Sequence, residues 1–251
     1  MADPALFEYL LRLGDDALVL GHRLSEWCGR APMLEEELAL ANIALDLIGE
    51  ARLLYGYAGT LEGKGRDEDH LAYLRDAAQY RNLLLVEQPN GDFALTIVRQ
   101  LLYSAFAAPL WQRLAGSRDE RLAAIAATAA KEAAYHRRHA GQWLIRLGDG
   151  TAESHRRAAA ALDELWMYTG EMLETDAIAA ALAGAAIAVD PAVLRPEWET
   201  TLSAVLAEAG LAAPQQRWMQ SGGRRGRHSE HLGHLLAEMQ FLQRAYPGAV
   251  W

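Results

Sequence analysis

Cysteine is nearly absent: Cys28 stands alone among 251 residues. One cysteine excludes an internal disulfide framework and any cysteine-rich metal site, and it fits a reducing cytoplasm. Basic charge is also short, with 24 Lys and Arg against 33 Asp and Glu, a formal net charge of -9. That balance argues against a nucleic-acid surface, which needs clustered cations to displace counterions from phosphates. The one dense basic cluster is Arg224, Arg225 and Arg227. The opening residues MADPALFEYL lack a basic segment followed by an apolar run. No stretch offers the roughly 20 uninterrupted apolar residues that cross a bilayer. A cytoplasmic chain is therefore expected. Alternating apolar and polar runs typical of strands are missing too. The nucleophile elbow Gly-x-Ser-x-Gly, the Walker loop and the Gly-x-Gly-x-x-Gly turn after a strand are all missing, so hydrolase, kinase and dehydrogenase readings have no support.

What is present is apolar periodicity. Hydrophobic residues make up 51% of the chain, enough for one sizeable core, and a single domain over residues 1–251 is expected. Apolar positions recur at steps of three and four, punctuated by Pro and Gly, an all-α pattern. Asp3 as cap and Pro4 at the first helical position open a helix running to about Gly29. Pro32 opens a second, through Leu34, Leu38, Ala41, Leu45, Ile48, Arg52 and Tyr55 to near Gly63. A shorter helix fits Asp67 to Gln79. The segment from Arg81 to Gly91 is apolar but aperiodic and reads as an ordered connection. Asp92 to Ala115 is the next helix. Ser117 and Glu120 then form a capping box for a helix whose inner stripe is Leu122, Ile125, Ala129, Glu132, His136, Ala140, Trp143 and Leu147. Thr151 caps a helix to about Glu174. Further helices are expected near Asp176 to Leu182, Glu197 to Gly210 and Ser229 to Tyr246, with Pro191 and Pro196 breaking the chain between. Four long amphipathic helices, with a longer link between the second and fourth, suggest a ferritin-like four-helix bundle core with additional C-terminal helices.

Bundles of that kind can hold a diiron site, built from a Glu on each of two helices and a Glu-x-x-His pair on each of the other two. Here Val19, Ala133 and Ala152 stand three residues before His22, His136 and His155, and none offers a carboxylate. His136 and Arg225 stand before His139 and His228. Asp67 and His70 have that spacing, but in a charged run at a helix start, where acids serve the dipole. Glu132 and His136, four apart, are either the remnant of a metal site or a buried hydrogen-bonded pair, and the second is the plainer reading. Asp46 and Glu50 are likewise four apart and suit arginine partners on a neighbouring helix or chain. His228, His231 and His234 span nearly two turns and drift around the helix, as a polar patch or interface would. The loop from Ser221 to Arg227 combines glycines with three guanidiniums ahead of a helix. It could cradle an anion or pair with an acidic surface.

Several stretches resemble the structural C subunits of bacterial ring-1,2-phenylacetyl-CoA epoxidases, which are multicomponent diiron monooxygenases: LRLGDDALVLGHRLSEWCG, LALANIALDLIGEAR, NLLLVEQPNGDFA, KEAAYH, IAVDP and GRHSEHLGHLLAEMQFLQRAYPG. The resemblance spans nearly the whole chain. It implies a subunit that shares the fold of its catalytic partner, pairs with it, and is needed for activity without a working metal centre. The partner's Glu and His ligands on its second helix fall at Leu47 and Glu50 here, and its later Glu-x-x-His at Ala133 to His136. One imidazole is kept and the carboxylates are lost, a degenerate site. The resemblance further implies iron in the catalytic partner, and NADPH, flavin and iron–sulfur in a separate reductase. The expected function is thus structural, within a hetero-oligomer that epoxidises phenylacetyl-CoA, with no cofactor on this chain. In isolation the chain could form a homodimer. Two other functions compete. One is a diiron or dimanganese oxidoreductase using Asp46, Glu50, Glu132 and His136, and the other a small-molecule binding module. Gln79, Tyr80, Arg81 and Asn82, together with Arg224 and Arg225, are the expected substrate- or partner-facing residues.

Overall fold

The structure, a computed structural model, describes residues 3–249. In chain order its helices are α1 (Pro4–Ser25), α2 (Leu34–Glu62), α3 (Glu68–Tyr73), α4 (Leu84–Glu87), α5 (Phe93–Leu114) and α6 (Glu120–Gly148). There follow α7 (Ala152–Leu165), α8 (Ala177–Gly184), α9 (Arg195–Glu208), α10 (Glu230–Met239) and α11 (Phe241–Ala245). No strand occurs among the described residues, and the fold is all-α, of the ferritin-like helical class. Chain contacts divide into two compact units. One comprises the residues up to Pro89 with those from Gly222 onward, and the other runs from Asn90 to Ser221.

In the first unit, α1 and α2 form a long antiparallel pair. Asp3 accepts hydrogen bonds from the backbone N–H groups of Ala5 and Leu6, and Pro4 follows, so the chain enters α1 as its sequence dictates. The helix ends at Ser25 rather than near Gly29, and the intervening residues continue as turns. Met33 stands at the N-cap of α2 without a side-chain bond, and Glu37 instead reaches back to accept from Gly29 N at 2.5 Å. At its far end Gly63 adopts the left-handed conformation, φ 69°.

The face that α2 buries differs from the expected one. Leu34, Leu38 and Leu45 are 70, 58 and 65% exposed, while Ile43, Ala44, Leu47, Ala51, Leu54 and Ala58 turn inward. Leu and Ala occupy several faces of this helix, so periodicity alone admits two phases. The glycines of α1 decide between them. A Cβ on Gly14 would stand 2.6 Å from the Tyr55 ring, and one on Gly21 would stand 3.2 Å from the Ala44 carbonyl. Two turns apart on α1, they let the helices approach closely along the line that runs through Ala44 and Tyr55.

The second unit is built on α5 and α6, also antiparallel, with α7 and α9 packed on them. Among the described helices only α5 is long and apolar enough to cross a bilayer, and its apolar window is 94% buried, as in a core helix. On α6 the expected inner stripe holds for Leu122, Ile125, Ala129, His136 and Ala140, but Ala133 and Leu144 lie inside while Glu132, Trp143 and Leu147 are half-buried. The cap of α6 is Asp119, accepting from Leu122 N at 2.8 Å, and not Ser117. Ser117 instead donates to the Ile187 carbonyl at 2.7 Å and accepts from the backbone N–H of the capping residue Asp119 at 3.1 Å. Thr151 caps α7 as expected, in a capping box with Ser154. The helix expected to reach Glu174 stops at Leu165 and continues as two 3-10 turns, Trp166–Tyr168 and Gly170–Leu173. Two other expected helices are also interrupted: Asp67 to Gln79 by residues 74–76, and Ser229 to Tyr246 at Gln240.

Truncating Leu54, which is fully buried, should therefore cost about 2–5 kcal/mol of unfolding free energy. Truncating the exposed Leu45 should change it by less than about 0.5 kcal/mol. Urea denaturation of Leu54→Ala and Leu45→Ala measures both, and equal losses would contradict the assigned face of α2.

Candidate functional site

Two adjacent carboxylates, Asp15 and Asp16, lie buried inside the apolar run of α1. Ionised carboxylates are costly to bury unless cations and N–H donors meet them. Both are met within the first unit. Asp15 is gripped by the Arg75 guanidinium through both oxygens, one contact measuring 3.0 Å. It also accepts from the Tyr55 hydroxyl at 2.5 Å and from the Arg81 backbone N–H at 2.6 Å. Arg75 in turn donates to the carbonyls of Leu71 and Gln79 and lies over the Tyr80 ring, 4.3 Å from its centroid. Asp16 receives both terminal nitrogens of Arg224, at 2.7 and 3.1 Å, and the Leu83 N–H at 2.7 Å. Arg224 also donates to the carbonyls of Arg12 and Arg81.

A third buried acid, Glu87 on α4, completes the arrangement. Its carboxylate meets His228 Nδ1 at 2.7 Å and accepts from Ser229 N at 2.6 Å and from Asn82 Nδ2 at 2.8 Å. The other ring nitrogen of His228 lies 3.0 Å from the Tyr80 carbonyl. Both ring nitrogens thus face acceptors, and only the imidazolium can donate to both. Arg23 donates to the Glu87 carbonyl and to the His231 carbonyl, tying α1 to the start of α10.

The electrostatics follow from this burial. Desolvation pushes Asp16 up to about 6, against Arg224, whose charge and hydrogen bonds favour the anion. Burial, with the Asp15 charge, drives the Tyr55 phenol well above its ordinary range. For His228 burial disfavours the cation, yet the hydrogen bond and charge of Glu87 outweigh it and the imidazole is raised.

The structure brings the two expected surface segments together. Gly223 packs so tightly on the Asn82 carbonyl that a Cβ would stand 2.1 Å from its oxygen. Tyr80 and Asn82 are wholly buried and so face inward, contrary to a substrate- or partner-facing role. Arg81 is half-buried and pairs with Glu8 at 2.9 Å. Arg224 spends its charge on Asp16 of the same chain, which leaves Gln79 and Arg225 as the outward-facing members of the set. Sequence reading missed Asp15, Asp16, Arg75 and Glu87. The signal available was two consecutive aspartates inside the apolar run LRLGDDALVL.

The positions weighed for metal lie elsewhere. On α2 of the first unit Leu47 and Glu50 are buried and Asp46 is half-buried. On α6 of the second unit Ala133 and His136 are buried, with His136 and His139 flanking Tyr135 at ring distances of 6.2 and 6.0 Å. Asp67 caps α3, accepting from His70 N at 2.8 Å, and so serves the helix start. His228 is held by Glu87 while His234 is exposed, so the three-residue histidine row does not converge. Leu47 and Ala133 carry no donor atom, and among the described residues no group of three or more His, Cys, Asp or Glu could hold a metal ion. This donor set does not fit a diiron centre.

Two outcomes are expected of this hub. Arg224→Ala strands Asp16 and should cost about 3–5 kcal/mol, whereas Arg227→Ala, at an exposed residue of the same loop, should change stability by less than about 0.5 kcal/mol. Equal effects in chemical denaturation would contradict the pairing. The His228 contact should also depend on pH. Its folded-state pKa lies above the ordinary 6.5, so its stabilisation is complete below that value and is lost as pH rises through the folded value. The urea midpoint difference between the native chain and His228→Gln should therefore shrink from about pH 5.5 to about pH 8.5. A difference that stays constant or grows would contradict it.

Comparison with known proteins agrees with the resemblance seen in the sequence. The chain is 53% identical over 246 residues to the C subunit of the 1,2-phenylacetyl-CoA epoxidase of Escherichia coli strain K12, covering 98% of this chain and 99% of that protein. The family model described as "Phenylacetic acid catabolic protein" matches residues 1–251. The chain belongs to the phenylacetic acid catabolic protein family.

Proposed function

We propose that this chain is a non-catalytic subunit of a cytoplasmic phenylacetyl-CoA epoxidase complex, and that it supports the diiron oxygenase subunit structurally. Iron belongs to that partner, and NADPH, flavin and iron–sulfur belong to a reductase subunit. The reading is supported by identity along almost the full length to an epoxidase C subunit. The observation that carries it is the chemistry at two buried positions. Where the resemblance places a Glu ligand on each of two helices, Leu47 and Ala133 offer only aliphatic surface. Aliphatic side chains pack; they neither coordinate a ferrous ion nor move a proton.

A supporting role has physical requirements that this chain meets. A subunit that braces another must hold its own shape, and the acids buried in its first unit are already matched by arginine, histidine and backbone N–H groups. Such matched acids lock segments that are distant in sequence into one arrangement.

Co-expression with the catalytic subunit tests the reading. The two chains should elute as one complex on size exclusion. Iron in that complex should amount to about two ions per catalytic subunit and none attributable to this chain. Separate elution would contradict the partner, and about two further irons per copy of this chain would favour an oxidoreductase using Asp46, Glu50, Glu132 and His136.

A further inference from the structure

Helix α2 is apolar on two opposite faces. The inner one, through Ile43, Leu47 and Leu54, is buried where α2 packs on α1. On the other side Leu34, Leu38, Leu45 and Leu53 stand exposed, with Ala41 and Ile48 half-buried among them. Leu34, Leu38, Ala41, Leu45 and Ile48 follow one another at steps of four, three, four and three. That spacing keeps one seam of a helix against a second helix. A solvated helix face is polar, and a helix apolar on every side is a buried one. Leucines aligned in solvent over most of a 29-residue helix therefore mark an interaction surface.

Gly49 is a second, separate observation. Glycine inside a helix weakens it, and close packing explains Gly14, Gly21 and Gly59, which meet Tyr55, the Ala44 carbonyl and the Arg66 carbonyl. A Cβ on Gly49 would meet nothing within 4 Å. The gap thus serves no contact of its own chain. It lies on the exposed side of α2, where it admits a side chain from outside.

The order of residues along α2 says what the surface fits. Leu34 and Leu53, Leu38 and Gly49, and Glu35 and Arg52 are each placed symmetrically about the midpoint between Ile43 and Ala44. Two copies of α2 laid antiparallel about a two-fold axis at that level set leucine level with leucine, leucine with the glycine gap, and carboxylate with guanidinium, each twice. A parallel pair would instead set Glu35 beside Glu35 and leave the two gaps facing each other. Glu35 is exposed. Arg52 reaches Glu68 of its own chain at 3.4 Å through Nε, and its terminal nitrogens supply further donors.

We infer that the outer face of α2 is a docking surface for a second copy of this chain, paired antiparallel, with Leu38 of one copy seated at Gly49 of the other. The inference does not rest on the supporting role, since Leu47 and Ala133 are no part of this face.

Light scattering behind size exclusion of the full chain alone, loaded at about 0.1 mM, tests it. Twice the 27.6 kDa chain mass is expected. Leu38→Glu with Leu45→Glu puts four carboxylates into the seam and should raise the dimer Kd at least about hundredfold. Gly49→Leu fills the gap while improving the helix, so it should raise Kd at least about tenfold without lowering the melting temperature of the dilute monomer. At dilutions below Kd, Leu45→Ala keeps the small effect of an exposed residue. In a Cys28→Ser background, a mixture of Leu38→Cys and Gly49→Cys chains should oxidise to a disulfide-linked pair. Leu38→Cys chains alone should not, because their thiols would lie about 16 Å apart along the helix axis. Three results would each overturn the surface. One is a monomer at that concentration, including one whose α2 face serves only the oxygenase subunit. Another is a dimer indifferent to both the Glu pair and Gly49→Leu in chains of native circular dichroism. The third is a disulfide that forms as readily between two Leu38→Cys chains as in the mixture.

Discussion

Two carboxylates side by side in an apolar helix are the constraint on which the first unit is organised. Burying Asp15 and Asp16 as anions without compensation would cost more than a domain's whole stability. Each must therefore recruit a cation, and neither cation is nearby in sequence. Arg75 arrives from beyond α3, and Arg224 from far down the chain. The carboxylates thus fix the path of the chain: the segment carrying Arg81 and Leu83 must cross α1 for its N–H groups to reach the same oxygens. The glycine-rich loop before α10 must dock on that segment to deliver Arg224. Gly223 and Gly226 are there because backbone meets backbone, with no room for a side chain.

The same logic separates this hub from a catalytic one. An acid that works as a ligand or base keeps a lone pair for metal or substrate. Asp15, Asp16 and Glu87 give theirs to guanidinium, imidazolium, phenol and backbone N–H groups of the same chain. The rise of Asp16 to about 6 has desolvation as its first cause, set against the charge and hydrogen bonds of Arg224. Elsewhere in the chain Leu47 and Ala133 pack as buried aliphatic side chains, while charge is concentrated where it binds segments together.

Much of this was legible in the sequence, where local chemistry decides. Asp3 with Pro4, Thr151 and Gly63 mark helix ends because cap geometry depends on neighbours within one turn. The all-α class follows from the period of apolar residues. Non-local choices were not legible. The phase of α2 escapes the apolar period because Leu and Ala lie on several of its faces, and only Gly14 and Gly21 of another helix select among them. Ser117 and Asp119 can both cap α6, and Asp119 does, while Ser117 joins the Asp119 N–H to the Ile187 carbonyl, seventy residues away. Arg224 reads as a basic surface residue because its partner, Asp16, lies 208 positions earlier.

The central claim is that the acids buried in this chain hold the fold and leave no diiron centre of its own. A Mössbauer spectrum of the isolated chain, incubated anaerobically with isotopically enriched ferrous iron, desalted and then exposed to oxygen, addresses it most directly. The account predicts no quadrupole doublets from a spin-coupled iron pair. A stoichiometric pair of such doublets from the folded chain alone would contradict it.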